Sequence, residues 1–80
     1  LTKELAVRFS SDNIRVNCIA YGGIYGRVDS TFIQRYSALV PMGHMLKEEE
    51  VIGPLEFLMT NSSSSITGHV IAADGGWTVW

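Results

Sequence analysis

The chain has 80 residues, 46% of them hydrophobic and 18% charged, enough apolar surface for a core and too little charge for intrinsic disorder. At about 100 to 200 residues per domain, this length admits one unit at most. The formal net charge is −2, with Lys3, Arg8, Arg15, Arg27, Arg35 and Lys47 dispersed along the chain. That pattern offers no electrostatic footprint for a nucleic-acid backbone.

Leu1, Leu5, Ala6 and Phe9 share one helical face, so residues 1–11 read as an amphipathic helix, ended by the turn formers Ser10, Ser11, Asp12 and Asn13. The pattern is already under way at Leu1, so the chain is expected to be a fragment that begins inside a helix. Residues 14–20 alternate, with Ile14, Val16, Cys18 and Ala20 on one face, and are predicted to form a strand. It leads into Tyr21, Gly22, Gly23, Ile24, Tyr25 and Gly26, a glycine-rich loop. Asp29 or Ser30 caps a second helix that carries Phe32, Ile33, Tyr36 and Leu39 or Val40 on one side and stops before Pro41.

Glu48, Glu49 and Glu50 suit the first turn of a third helix, where the helix dipole favours carboxylates. Val51, Leu55, Leu58 and Met59 form its predicted buried stripe, and Gly53-Pro54 predicts a kink or a restart. Asn61 to Ser65 is a polar connector, and Val70 to Ala73 is a short apolar strand closed by Asp74-Gly75-Gly76. The order helix, strand, helix, helix, strand argues for an α/β fold with a parallel sheet. Two strands leave open edges, so residues 1–80 are expected to be part of one domain, incomplete on its own, with partner strands supplied from elsewhere.

No apolar run approaches the roughly 20 residues that span a bilayer, and no signal-peptide pattern opens the chain, so the expected setting is cytoplasmic, away from membranes. Cys18 is the single cysteine, which excludes an internal disulfide. His44 and His69 have no Asp, Glu or Cys at a metal-ligand or triad spacing, so structural or surface roles are favoured and no metal is expected. Ser62 to Ser65 lacks nucleophile-elbow glycines and reads as a solvated helix exit. Asn61-Ser62-Ser63 matches a glycosylation acceptor by chance, since nothing marks the chain as secreted. Trp77 and Trp80 have little chain left to cover them, and an interface and a core plug both stay open. The Tyr21–Gly26 loop follows the carboxyl end of a strand, where ligands of open parallel sheets bind. From spacing alone both a ligand cradle and a plain turn fit it, and the plain turn is the commoner use of a glycine pair.

Taken together, Leu1-Thr2-Lys3-Glu4-Leu5-Ala6, Ile14-Arg15-Val16-Asn17-Cys18-Ile19, Gly22-Gly23-Ile24, Pro41-Met42-Gly43, Glu49-Glu50-Val51 with Phe57-Leu58, Ser63-Ser64-Ser65-Ile66-Thr67-Gly68 and Asp74-Gly75-Gly76-Trp77 resemble the C-terminal third of a short-chain dehydrogenase/reductase. The resemblance implies the C-terminal part of a Rossmann-type parallel sheet in a parent enzyme that transfers hydride between NAD or NADP and a small-molecule carbonyl or alcohol. It assigns Tyr21, Gly22, Gly23 and Ile24 to the nicotinamide side of the cofactor site. It places Phe32, Ile33 and Tyr36 on a substrate lid, and the third helix and last strand at a homo-oligomer interface, dimeric or tetrameric. The family's Tyr-x-x-x-Lys pair and catalytic serine have no counterpart among these residues, so none is catalytic and the chain alone is expected to be inactive. The family's usual proline is Tyr21 here, a common threonine is Gly26, and a frequent arginine is His44. The competing class is a non-enzymatic interaction module of the same fold whose cofactor loop has decayed.

Overall fold

The computed structural model describes residues 1–79. Helix α1 spans Thr2–Phe9, strand β1 Cys18–Tyr21, helix α2 Ser30–Leu39, helix α3 Glu48–Met59 and strand β2 Val70–Ala73, with single 3-10 turns at Ser10–Asp12, Asn61–Ser63 and Trp77–Val79. The two strands pair in parallel, Cys18 opposite Val70 through Tyr21 opposite Ala73. The expected order and strand direction are both present. Trp80 lies outside the described residues.

The turn formers after α1 close it in a Schellman arrangement. Asn13 adopts φ 59° and takes the left-handed position usually given to glycine. Its N–H donates to the Ser10 carbonyl at 3.1 Å, and the Ile14 N–H donates to Phe9 at 3.2 Å.

The strand predicted over 14–20 begins only at Cys18. Opposite its first half, Gly68 sits at φ +75°, which breaks the extended run its partner would need. Side chains supplement the one main-chain bond left there, from the Gly68 N–H to the Val16 carbonyl at 2.8 Å. The Val16 N–H donates to Thr67 Oγ1 at 3.1 Å, Asn17 Nδ2 donates to the Ile66 carbonyl at 2.9 Å, and the His69 N–H donates to Asn17 Oδ1 at 3.1 Å. Arg15 adds a larger anchor. Its guanidinium donates to the carbonyls of Leu58, Thr60, Ser63 and Ile66 and to the Ser63 hydroxyl, at 2.8 to 3.3 Å. Ser63 is therefore fully buried, not part of a solvated helix exit.

Asp29 caps α2 by accepting from the Phe32 N–H at 2.8 Å, and the helix ends at Leu39 because Val40, which precedes proline, is extended. Helix α3 runs unbroken through Pro54, so of the two expected alternatives the restart does not occur. Gly53 lacks the Cβ whose clash with the proline ring normally drives the preceding residue out of the helical region. The expected buried stripe is half realised: Val51 and Leu58 are half-buried, whereas Leu55 and Met59 are 46% and 74% exposed.

The apolar residues that are buried are Ala6, Val40, Met45 and Leu46. The radius of gyration is 15.3 Å, against about 12 Å for a compact unit of this length. With a two-stranded sheet and Ile52, Leu55, Met59 and Val70 exposed, the described residues form part of an α/β layer rather than a closed globule.

Candidate functional site

At the carboxyl end of β1, successive loop residues are held by four different segments. The Tyr21 hydroxyl donates to the Val51 carbonyl of α3 at 2.5 Å. The Gly22 N–H extends the sheet by donating to Ala73 at 3.1 Å. The Gly23 N–H donates to the Tyr36 hydroxyl of α2 at 2.6 Å. Leu46 then forms a parallel bridge with Ile24: its N–H donates to the Gly23 carbonyl at 2.8 Å, and its carbonyl accepts from the Tyr25 N–H at 3.0 Å.

That bridge fixes the direction of two peptide planes. In a trans peptide the N–H and the preceding C=O point opposite ways. With the Gly23 carbonyl and the Tyr25 N–H both turned to Leu46, the Ile24 N–H and C=O point away from it together. The loop thus presents one donor and one acceptor side by side, beside an Ile24 side chain that is 44% exposed.

Both glycines are required by close approach. A Cβ on Gly22 would lie 2.8 Å from the Asp74 Cα, and one on Gly23 would lie 2.6 Å from Cζ of Tyr36. The Tyr36 ring stacks on Trp77, with centroids 5.0 Å apart and planes 8° from parallel, and on Phe32 at 6.0 Å. The structure therefore gathers Tyr21, Gly22, Gly23, Ile24 and Tyr36. Phe32 stands at the edge of the group, about half exposed, and Ile33 is half-buried. The Tyr36 hydroxyl accepts from the loop and keeps its own proton to donate.

Sequence reasoning missed Leu46, Ala73 and Asp74. Leu46 and Ala73 act through main-chain groups, which leave no mark on residue type, while Asp74-Gly75-Gly76 was visible as a turn. Asp74 Oδ1 accepts from the Gly76 N–H at 3.0 Å. The Asp74 carboxyl is held below its ordinary value of 3.8, chiefly by a hydrogen bond from the Thr78 side chain, assisted by the Gly76 and Thr78 amides and opposed by desolvation. A lowered folded-state pKa stabilises the turn at pH values above the ordinary one, and this contribution fades as pH falls through the folded value. The melting temperature of the protein should therefore drop below about pH 4 more steeply than that of Asp74→Asn, with the two curves converging in acid. Parallel curves would contradict the assignment.

His44 Nδ1 lies 2.8 Å from the Met45 carbonyl and 3.9 Å from Glu50 Oε1, and only the His69 main chain bonds to Asn17. Among the described residues no cluster of His, Cys, Asp and Glu is placed to hold a metal, and no helix is long and apolar enough to cross a membrane.

Known proteins share this fold. A short-chain dehydrogenase from Leptospira borgpetersenii, solved with bound NAD+, superposes with a TM-score of 0.90 at 40% identity, over 96% of this chain and 30% of that one. A tropinone reductase homolog of Arabidopsis thaliana is 40% identical over 99% of this chain and 32% of its own length. The family model described as enoyl-(acyl carrier protein) reductase matches residues 1–78. The chain belongs to the short-chain dehydrogenase/reductase family. An NADH-dependent L-xylulose reductase of Ambrosiozyma monospora is a further relative, 34% identical over the whole of this chain and 32% of its own. A 4-hydroxyisoleucine dehydrogenase complexed with NADH and succinate superposes with a TM-score of 0.88 at 28% identity, over 99% of this chain and 34% of that one. The chain spans about a third of the length of these family members.

Proposed function

We propose that these residues are the C-terminal part of a longer NAD(P)-dependent oxidoreductase that interconverts a small-molecule alcohol and carbonyl, and that they form the nicotinamide side of its cofactor site. The observation that carries this reading is the Ile24 donor–acceptor pair. A primary carboxamide offers a carbonyl for the Ile24 N–H and an amino group for the Ile24 C=O, so the two edges are complementary. Tyr21, which stands where the family has proline, ties the loop to α3 through its hydroxyl, so the replacement is compatible with an ordered loop.

When bound, the nicotinamide supplies hydride acceptance or delivery. The chain's own contribution is to orient that ring through the Ile24 backbone pair and to shield one side of it with Ile24, Phe32 and Trp77. Helix α2, with Phe32, Ile33 and Tyr36, serves as the substrate lid. The proton-transfer residues are supplied by the rest of the protein, and these 80 residues alone are inactive. The exposed apolar residues of α3 and β2, among them Leu55, Met59 and Val70, supply the contact of a homo-oligomer.

The test compares NADH with ADP-ribose, which lacks the nicotinamide, as ligands of the full-length protein. Both should raise the melting temperature by mass action, and NADH or NADPH should raise it further at the same concentration. Equal protection by ADP-ribose would exclude this loop from nicotinamide recognition, and no protection by any of them would exclude the oxidoreductase reading.

A further inference from the structure

We infer that Tyr36 is a positioning residue that sets the affinity for the nicotinamide end of the cofactor by holding the peptide before Gly23; this rests on the cofactor reading above. The Gly22–Gly23 unit has no side chain to restrict it, and glycine dihedrals move cheaply. Three neighbouring main-chain groups have partners in the sheet or in Leu46: the Gly22 N–H in Ala73, the Gly23 carbonyl and the Tyr25 N–H in Leu46. The Gly23 N–H has its partner in a side chain instead, the Tyr36 hydroxyl at 2.6 Å. That hydroxyl therefore decides the rotation of the peptide immediately upstream of the Ile24 N–H.

The hydroxyl is itself well placed. Its ring lies against the Gly23 Cα, where even a methyl group would not fit, and its stack with Trp77 at 5.0 Å ties it to the turn after β2. Helix α2, the loop and the Trp77 turn thus meet at one aromatic residue. Displacing α2 withdraws the hydroxyl from Gly23 and frees the Gly22–Gly23 peptide, which leaves the Leu46 bridge alone to align Ile24. Lid position and nicotinamide affinity are then linked, and such linkage is reciprocal: substrate that fixes α2 strengthens nicotinamide binding, and nicotinamide strengthens substrate binding by the same factor.

Tyr36→Phe in the full-length protein keeps the ring stack and removes the hydroxyl. The expected result is an NADH dissociation constant raised about fivefold or more with the ADP-ribose dissociation constant unchanged. A merely structural role would weaken the two ligands equally, so equal weakening, or no weakening of NADH, would overturn the inference. A wild-type protein that fails to prefer NADH over ADP-ribose would instead remove the cofactor reading on which it rests. Amide hydrogen exchange on the unsubstituted protein supplies a check independent of how the variant folds. The Gly23 amide should be protected to the same degree as the Gly22 amide of the sheet, and free exchange at Gly23 would also overturn the inference.

Discussion

Gly22→Ala is expected to cost about 3 kcal/mol of stability, the upper end for inserting a methyl group into filled space. The added Cβ would stand 2.8 Å from the Asp74 Cα and 2.9 Å from the Asp74 Cβ. Neither atom is the end of a flexible side chain, so relief requires moving the main chain of β1 away from the Asp74 turn. That movement breaks the hydrogen bond from the Gly22 N–H to Ala73 and pulls at Gly23 and Ile24 downstream. Gly26→Ala is the matched control, since the nearest atom to its new Cβ is the Ile24 carbonyl oxygen at 4.0 Å. Urea titration of the full-length protein checks both: the midpoint should fall for alanine at 22 and hold for alanine at 26, with the slope unchanged in each case. Equal midpoints would mean that the loop and the Asp74 turn are not packed as described.

Arg15→Ala should destabilise by about 3 kcal/mol, because it strands several acceptors at once and a single orphaned buried group already costs about 1 to 3 kcal/mol. The guanidinium closes the end of α3 by binding the Leu58 and Thr60 carbonyls with one nitrogen, and it reaches Ser63 and Ile66 with the other. Ser63 has no access to solvent that would replace the lost donor. Arg15→Lys should recover only part of the loss, since an ammonium on a flexible stem lacks the planar fork that spans both sets of acceptors. Thermal denaturation of the three proteins tests the ordering, and a lysine variant as stable as the original would show that charge, not fork geometry, is what matters.

The contrast between these two sites and the sequence shows where pattern reading works. The glycine pair was legible as a loop after a strand, because strand periodicity and backbone permissiveness are local properties. Its reason was not legible: Asp74 lies more than fifty positions away, and Tyr36 meets Gly23 only once α2 has folded back against the loop. In the predicted alternation Arg15 falls on the face opposite Ile14 and Val16, and nothing local names its partners. In fact Gly68 interrupts the partner segment, so the stretch from Ile14 to Asn17 is sewn down by the side chains of Arg15, Asn17 and Thr67. Helix α3 was legible from its acidic first turn, and Gly53-Pro54 does not divide it, since the glycine that signals a break also removes a clash that causes one. Leu55 and Met59 carry a core periodicity that the described residues leave uncovered. The resemblance to short-chain dehydrogenases points to the Tyr21–Ile24 loop as the proposed cofactor contact. It did not show that Leu46 aligns it.

The Ile24–Leu46 bridge has a bearing on how freely this loop can vary over evolutionary time. Its donor and acceptor belong to the polypeptide itself, so exchanging one side chain for another at position 24 reshapes the wall without erasing the pair. Proline is the exception, because it removes the N–H. Under the proposed cofactor reading, the side chains at Ile24 and Tyr25 can therefore drift while the mode of gripping an amide persists, and the constraint passes instead to the buried residue behind the loop.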